Sequence, residues 1–240
     1  MRIAAALALC ASLACGKNSV GAPDAGSALV VSAAAGLDVF QAPSASEGSG
    51  VQGMVQVTMP SAMGEVPVSG ASVTLNGVAL PEGALPGHYD ADQAALAQVV
   101  VPGASLNLLA ISGGQTASVS FACPAAVSFT APVESAMVRA GAALEVEWVG
   151  RIAYNPVLAP SLFFRSYDAA TNGLGAPYLD PTANVKLAET ATSAQLTVPS
   201  DGKAGYAVEL LVPGVFANQA STGGSAVCIL HRRVHLKTSP

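Results

Sequence analysis

The side chains able to do chemistry fall in short, separate groups. Glu145 and Glu147 stand two apart in AALEVEWVG (142–150). On a strand, same-face neighbours lie roughly 7 Å apart, a spacing within the range of the acid and base of an inverting glycosidase. The same alternation sends Leu144, Val146 and Trp148 to the opposite face, so two glutamates on a wet strand face explain the pattern without catalysis. His231 and His235 are four apart, which converges on a helix but separates them by about 13 Å on a strand, too far to share one ion. Their segment, SAVCILHRRVHL (225–236), alternates as a strand, with Cys228, Leu230, Val234 and Leu236 in one phase. The other phase, His231, Arg233, His235 and Lys237, reads as a solvated face. It is a candidate docking surface for anionic headgroups or polysaccharide, against a plain polar edge that resists strand pairing.

Asp90 and Asp92 in HYDADQ (88–93) lack the third acidic ligand, the glycine and the distal glutamate of a calcium loop, and fit a turn. Trp148 and Tyr206 could stack on a sugar, yet both are in phase with apolar positions and are expected in the core. Gly-x-Ser-x-Gly, His-Glu-x-x-His and Gly-x-x-x-x-Gly-Lys do not occur. The expectation is a protein that is not an enzyme, with no catalytic residue, no cofactor and no metal site. A hydrolase of envelope polymers is the rival, and it needs Glu145, Asp168, Asp180 or a histidine to converge in a pocket. A small-ligand-binding protein is the third reading.

The chain has 240 residues, a formal charge of -5 and only 10% charged residues against 51% hydrophobic, the latter mostly Ala and Val. That is enough apolar matter for a sizeable core, and the acidic balance disfavours nucleic acid as a partner. Beyond the N-terminus no apolar run approaches the roughly 18 to 20 residues of a membrane-crossing helix, ALVVSAAAGL (28–37) being the nearest.

Residues 1–14 read as a cleaved signal sequence: Arg2, an apolar stretch from Ile3 to Leu13, then small residues. Ser12, Leu13, Ala14 and Cys15 resemble the lipobox of bacterial lipoproteins, in which the cysteine thiol is acylated and the chain is cut just before it. Cys10, preceded by bulky Leu9, fits less well. Ordinary secretory cleavage after Ala14 also leaves Cys15 first. Cysteine parity favours acylation, because Cys123 and Cys228 can pair and leave Cys15 over. The resemblance implies a protein held by N-terminal acyl chains in the bacterial cell envelope, the outer membrane favoured, the alternative being a soluble periplasmic or secreted protein. Residues 16–27, GKNSVGAPDAGS, form a tether spanning about 20 Å. Residues 28–40 are open between strand and helix, and 41–50 form a second linker.

From Val51 the pattern is all-β, with short alternating runs separated by Gly, Pro and Asn turns. Strands are expected at VQGMVQVTM, at GASVTLNGVAL around an Asn-Gly hairpin, and at 95–101, 105–112 and 115–123. The GA.V.LNG strand followed by G.Y (Gly87, Tyr89) resembles transthyretin-type or carboxypeptidase-regulatory-like sandwiches over 51–122. A tryptophan ending the second strand (Trp148) and a tyrosine opening the sixth (Tyr206) resemble the fibronectin type III sandwich over 123–240. The expected architecture is two tandem β-sandwiches after a cleaved signal sequence and flexible tether. In a second sandwich of that kind the first and last strands can be neighbours, which brings Cys123 and Cys228 together as a disulfide. The protein reads as a non-enzymatic binding or structural module of the envelope, with a protein or polysaccharide partner.

Overall fold

The computed structural model describes residues 28–40, 50–62, 64–90, 92–152, 158–171, 173–188, 190–214, 217–219 and 224–239. The predicted signal sequence with Cys10, the acylation candidate Cys15, the tether and most of the second linker lie outside them. The described residues form β1 (Val30–Phe40), β2 (Gly50–Ser61), β3 (Gly64–Pro67), β4 (Ser72–Leu75), β5 (Val78–Leu80), β6 (His88–Asp90), the helical turn α1 (Gln93–Leu96), β7 (Ser105–Ser112) and β8 (Gln115–Ala122). They continue as β9 (Ser128–Ala131), β10 (Ala136–Arg139), β11 (Ala143–Val149), β12 (Ser161–Asp168), β13 (Gly173–Pro177), β14 (Asn184–Lys186), β15 (Ser193–Thr197), β16 (Gly205–Pro213), β17 (Ala217–Gln219) and β18 (Gly224–Ser239). The all-β expectation holds. The described residues divide into two compact units, the first taking Ala28–Gly36, Val51–Cys123 and a returning segment that ends at Cys228.

In the first unit β7 and β8 show why alternation makes a half-buried sheet. Leu106, Leu108 and Ala110 on β7 pair with Phe121, Val119 and Ala117 on β8, and all six are buried while their neighbours face outward. β4 adds Val73 and Leu75 to the same face, completing the order β5-β4-β7-β8. Asn76 and Gly77 join β4 to β5 with φ of 47° and 83°, the double left-handed turn that an Asn-Gly pair favours. The Asn76 amide also ties the hairpin to β7, donating to Ser105 O at 3.0 Å and accepting from Asn107 N at 2.7 Å. Tyr89 is buried and its hydroxyl closes the 68–71 turn, donating to Val68 O at 2.8 Å and accepting from Ala71 N at 2.9 Å. Gly87, φ 72°, lets this segment pass close to the backbone of Val57 and Val68.

Two expectations change here. Residues 95–101 are not a strand: Asp92 caps α1, its Oδ1 accepting from Ala95 N at 2.8 Å, and Val100 N donates to Leu96 O at 2.8 Å. Leu96 and Val100 are fully buried, and their spacing of four is helical, a period that a run of Ala and Val conceals. Residues 30–40, open between strand and helix and placed in the linker region, form β1, whose neighbours in its sheet are β18 and β2.

The second unit contains the sheet β15-β11-β9 and a sheet running β13-β12-β16-β18, with β14 on β12 and β10 parallel to β18. Each has one apolar face, and placing β9, β11 and β15 apart from β12, β16 and β18 is the strand division of immunoglobulin-type sandwiches. Trp148 is 2% exposed and Tyr206 0%, so both are core residues, which removes them as a sugar-stacking pair.

Cys123 and Cys228 are disulfide-bonded, as expected. The reason differs. Both belong to the first unit, Cys123 directly after β8 and Cys228 in the first residues of β18. The expected second sandwich ran unbroken from 123 to 240, whereas 217–219 and 224–228 return to the first unit, β17 pairing with the start of β18 and Gly224 lying against Val31 and Val119.

Candidate functional site

β16 is the inner strand between β12 and β18, and its register sorts side chains onto two faces. Glu209 is opposite Phe163 on β12 and Arg233 on β18, and directly opposed residues of antiparallel strands share a face. One face therefore carries Leu162, Phe164, Tyr206, Val208, Leu210 and Val234, all essentially without exposure. The other carries Phe163 and Arg165, then Glu209, then His231, Arg233 and His235.

This second face corrects the docking surface expected at His231, Arg233, His235 and Lys237. His231 and Arg233 are 7% exposed and His235 5%; of the four, Lys237 alone is exposed. Buried cations need counter-charge, and the protein supplies it from within. Glu209, 0% exposed, holds Oε1 2.5 Å from His231 Nδ1 and Oε2 3.1 Å from Arg233 Nη2. Arg165 Nε lies 2.9 Å from the same Oε2, close enough for an ion pair though not aligned for a hydrogen bond. Arg165 also donates from Nη1 to Gly175 O at 3.2 Å, and its guanidinium lies 5.5 Å from the Phe163 ring centroid. Burial acts to raise the Glu209 carboxyl, but the His231 hydrogen bond and the charges of His231, Arg233 and Arg165 outweigh it and hold the group far below the usual carboxylate range.

His235 has a separate acid. Its Nδ1 is 2.9 Å from Glu134 Oε1, its backbone N–H donates to Glu134 Oε2 at 3.0 Å, and its ring stacks on Tyr167 with centroids 4.0 Å apart. His231 and His235 thus sit on one strand with different carboxylates and do not converge. Among the described residues no group of three or more His, Cys, Asp or Glu could hold a metal.

A second polar cluster surrounds Tyr206. Its hydroxyl donates to Pro199 O at 2.9 Å and, with that of Tyr178, also meets the carboxylate of Asp201. Burial, followed by the Asp201 hydrogen bond, pushes the Tyr206 phenol up to about 12. A tyrosine at the start of its strand, bonded back to the chain just upstream, fastens the corner of a sandwich.

The carboxylates weighed for hydrolysis are dispersed. Glu145 and Glu147 are exposed on β11, opposite Gln195 and Ser193. Asp168 accepts from Ala170 N at 3.0 Å and Thr171 Oγ1 at 2.8 Å, and Asp180 from Thr182 N at 2.8 Å and Thr182 Oγ1 at 2.7 Å. Each is a local turn, and these bonds hold both carboxyls below the ordinary aspartate range. Asp90 is an exposed strand end and Asp92 the helix cap.

Sequence reasoning missed Glu209 and Glu134. Glu209 had a legible signal, because in AGYAVELLVPG both phases of the alternation are apolar, which marks a strand buried on both faces. Glu134, 101 residues from His235, had none.

No protein family and no curated protein matches the chain. Among solved structures, the titin fragment A168–A169 is similar at 11% identity over 90% of this chain and 97% of that one, with a TM-score of 0.23. The three-domain titin fragment I67–I69 is similar at 10% identity over 85% of this chain and 62% of its own length, TM-score 0.21. The mu homology domain of Fcho1 from Danio rerio, solved with a bound Eps15 peptide, is similar at 13% identity over 89% and 97%, TM-score 0.24. The strand order above, rather than these similarities, defines the fold.

Proposed function

We propose that the protein is an exported bacterial envelope component, anchored through acyl chains on Cys15, that works as a non-enzymatic binding or structural module. The observation that carries the reading is the Cys123–Cys228 bond. Such a bond persists in an oxidising compartment, and its formation leaves Cys15 as the odd cysteine behind a signal-like leader. The first unit on this reading is of the transthyretin or carboxypeptidase-regulatory kind, and the Trp148 core and Tyr206 corner support a fibronectin type III kind for the second. A binding or structural role is supported by where the ionisable side chains are spent. Glu209 is engaged by Arg165, His231 and Arg233, and Asp168 and Asp180 close turns.

Two or three long acyl chains hold a protein durably at a bilayer where one does not. Intact mass of protein expressed in a bacterial host is expected to show loss of residues 1–14 and an added acyl mass, and Cys15→Ser to release the protein into the soluble periplasmic fraction. A mature, unacylated N-terminus on membrane-free protein overturns the anchor.

A further inference from the structure

The path of the chain gives the disulfide a further role. The chain leaves the first unit after Cys123, returns in the segment that ends at Cys228, and leaves again at Ile229. The two half-cystines are therefore the last residues of the first unit at two of its exits, and they are bonded to each other with Cα atoms 4.8 Å apart. The interval between them, Pro124–Val215 with the return, holds most of the second unit. The returning segment is core to the first: Ala226 and Val227 are 1% exposed and Cys228 0%. β18 itself is continuous across the border, nine of its later residues pairing with β16.

In a chain without the bond, unfolding of 124–215 would leave Ala226 and Val227 attached to their unit only through a long flexible loop, and strand opening could run through Ile229 into them. Closing such a loop has an entropy cost that grows with its length. The other sequence interval that separates parts of the first unit, between Gly36 and Val51, is far shorter and contains no cysteine. We infer that the disulfide is a covalent collar: it lets the second unit open and close while the first keeps the strand segment that completes its core. β18 then has a built-in breaking point between Cys228 and Ile229.

Native-state hydrogen exchange on the full oxidised chain in rising urea, read by mass spectrometry, tests this. Amides at 225–228 are expected to stay protected at urea concentrations at which β16 and 230–237 exchange. In the Cys123→Ala/Cys228→Ala variant, protection at 225–228 should collapse onto that of β16, a fall of about three orders of magnitude for a loop near 100 residues. Should the variant fail to fold, wild-type chain reduced with dithiothreitol in the folded state and exchanged at once supplies the same comparison. One common exchange event in the oxidised chain, or the first unit opening before the second, overturns the inference. So does separate exchange that persists without the bond.

Discussion

The two faces of the β12–β16–β18 sheet are both buried and are built on opposite principles. One holds Phe164, Val208, Leu210 and Val234, which lose nothing on leaving water and need no particular partner. The other holds Glu209 with Arg165, Arg233 and His231, groups that give up hydration there and offset it by ion-pairing with the one carboxylate. The apolar face tolerates rearrangement at the level of volume. The ionic face is all or nothing. Alternation along a strand therefore reports two environments, without saying that either is water.

The largest expected effect breaks the ionic face at its centre. Glu209→Ala leaves buried Arg233 and half-buried Arg165 without this carboxylate and should cost about 3–5 kcal/mol in urea unfolding at neutral pH. Phe164→Ala on the opposite face should cost a comparable 3–5 kcal/mol, roughly, through its cavity. Replacing Glu209, Arg165, Arg233 and His231 together with Leu and Met should recover most of the Glu209→Ala loss. Since the Glu209 carboxyl is depressed in the fold, its contribution is present above the ordinary carboxylate range and is lost as pH falls through about 4 towards the folded value. Acid sensitivity should therefore shrink in the fourfold variant. A loss under about 1 kcal/mol for Glu209→Ala would mean that the face is wet, and the contrast fails.

A smaller effect is expected at Tyr206, whose ring belongs to the apolar face and whose hydroxyl bonds at the corner. Tyr206→Phe keeps the ring and removes the bonds to Pro199 O and Asp201, for about 1–2 kcal/mol. The raised phenol stabilises the fold below its unfolded value near 10, and that contribution is lost as pH climbs towards about 12. The alkaline decline, followed by circular dichroism, should be shallower in Tyr206→Phe. An unchanged profile would assign the decline to Tyr178 or elsewhere. The smallest effect belongs to a face that is wet: Glu145→Gln and Glu147→Gln should each stay within about 0.5 kcal/mol of wild type. A larger change at either would show that β11 also has two buried faces.

These contrasts explain what the residues disclosed in advance. β7, β8 and β11 were legible because one of their faces is wet and the period of two is clean, whereas β12 buries Leu162, Phe163 and Phe164 in succession and was legible from its apolar run. The helical turn at 93–96 was hidden because Ala and Val at 94–101 fit either period, and the deciding bond, Asp92 to Ala95, is local capping. In β18 the phase was right and the environment wrong, since charged residues read as solvated until their partners on β12, β16 and the 132–135 turn are known. The disulfide pair followed from there being two cysteines in the folded part. Its place in the first unit could not be read, because nothing local announces that 217–228 return there.

Gly87 sets a limit of another kind. A methyl group there would fall 2.8 Å from both Pro67 Cβ and Val57 O and 2.9 Å from Val68 N, on a backbone already left-handed. No repacking of side chains relieves a collision with main-chain atoms of β2 and of the residue that follows β3. Among substitutions spread evenly along the first unit, those at 87 should be the ones with no compensating second-site change, because what must be preserved is an emptiness the width of a hydrogen atom.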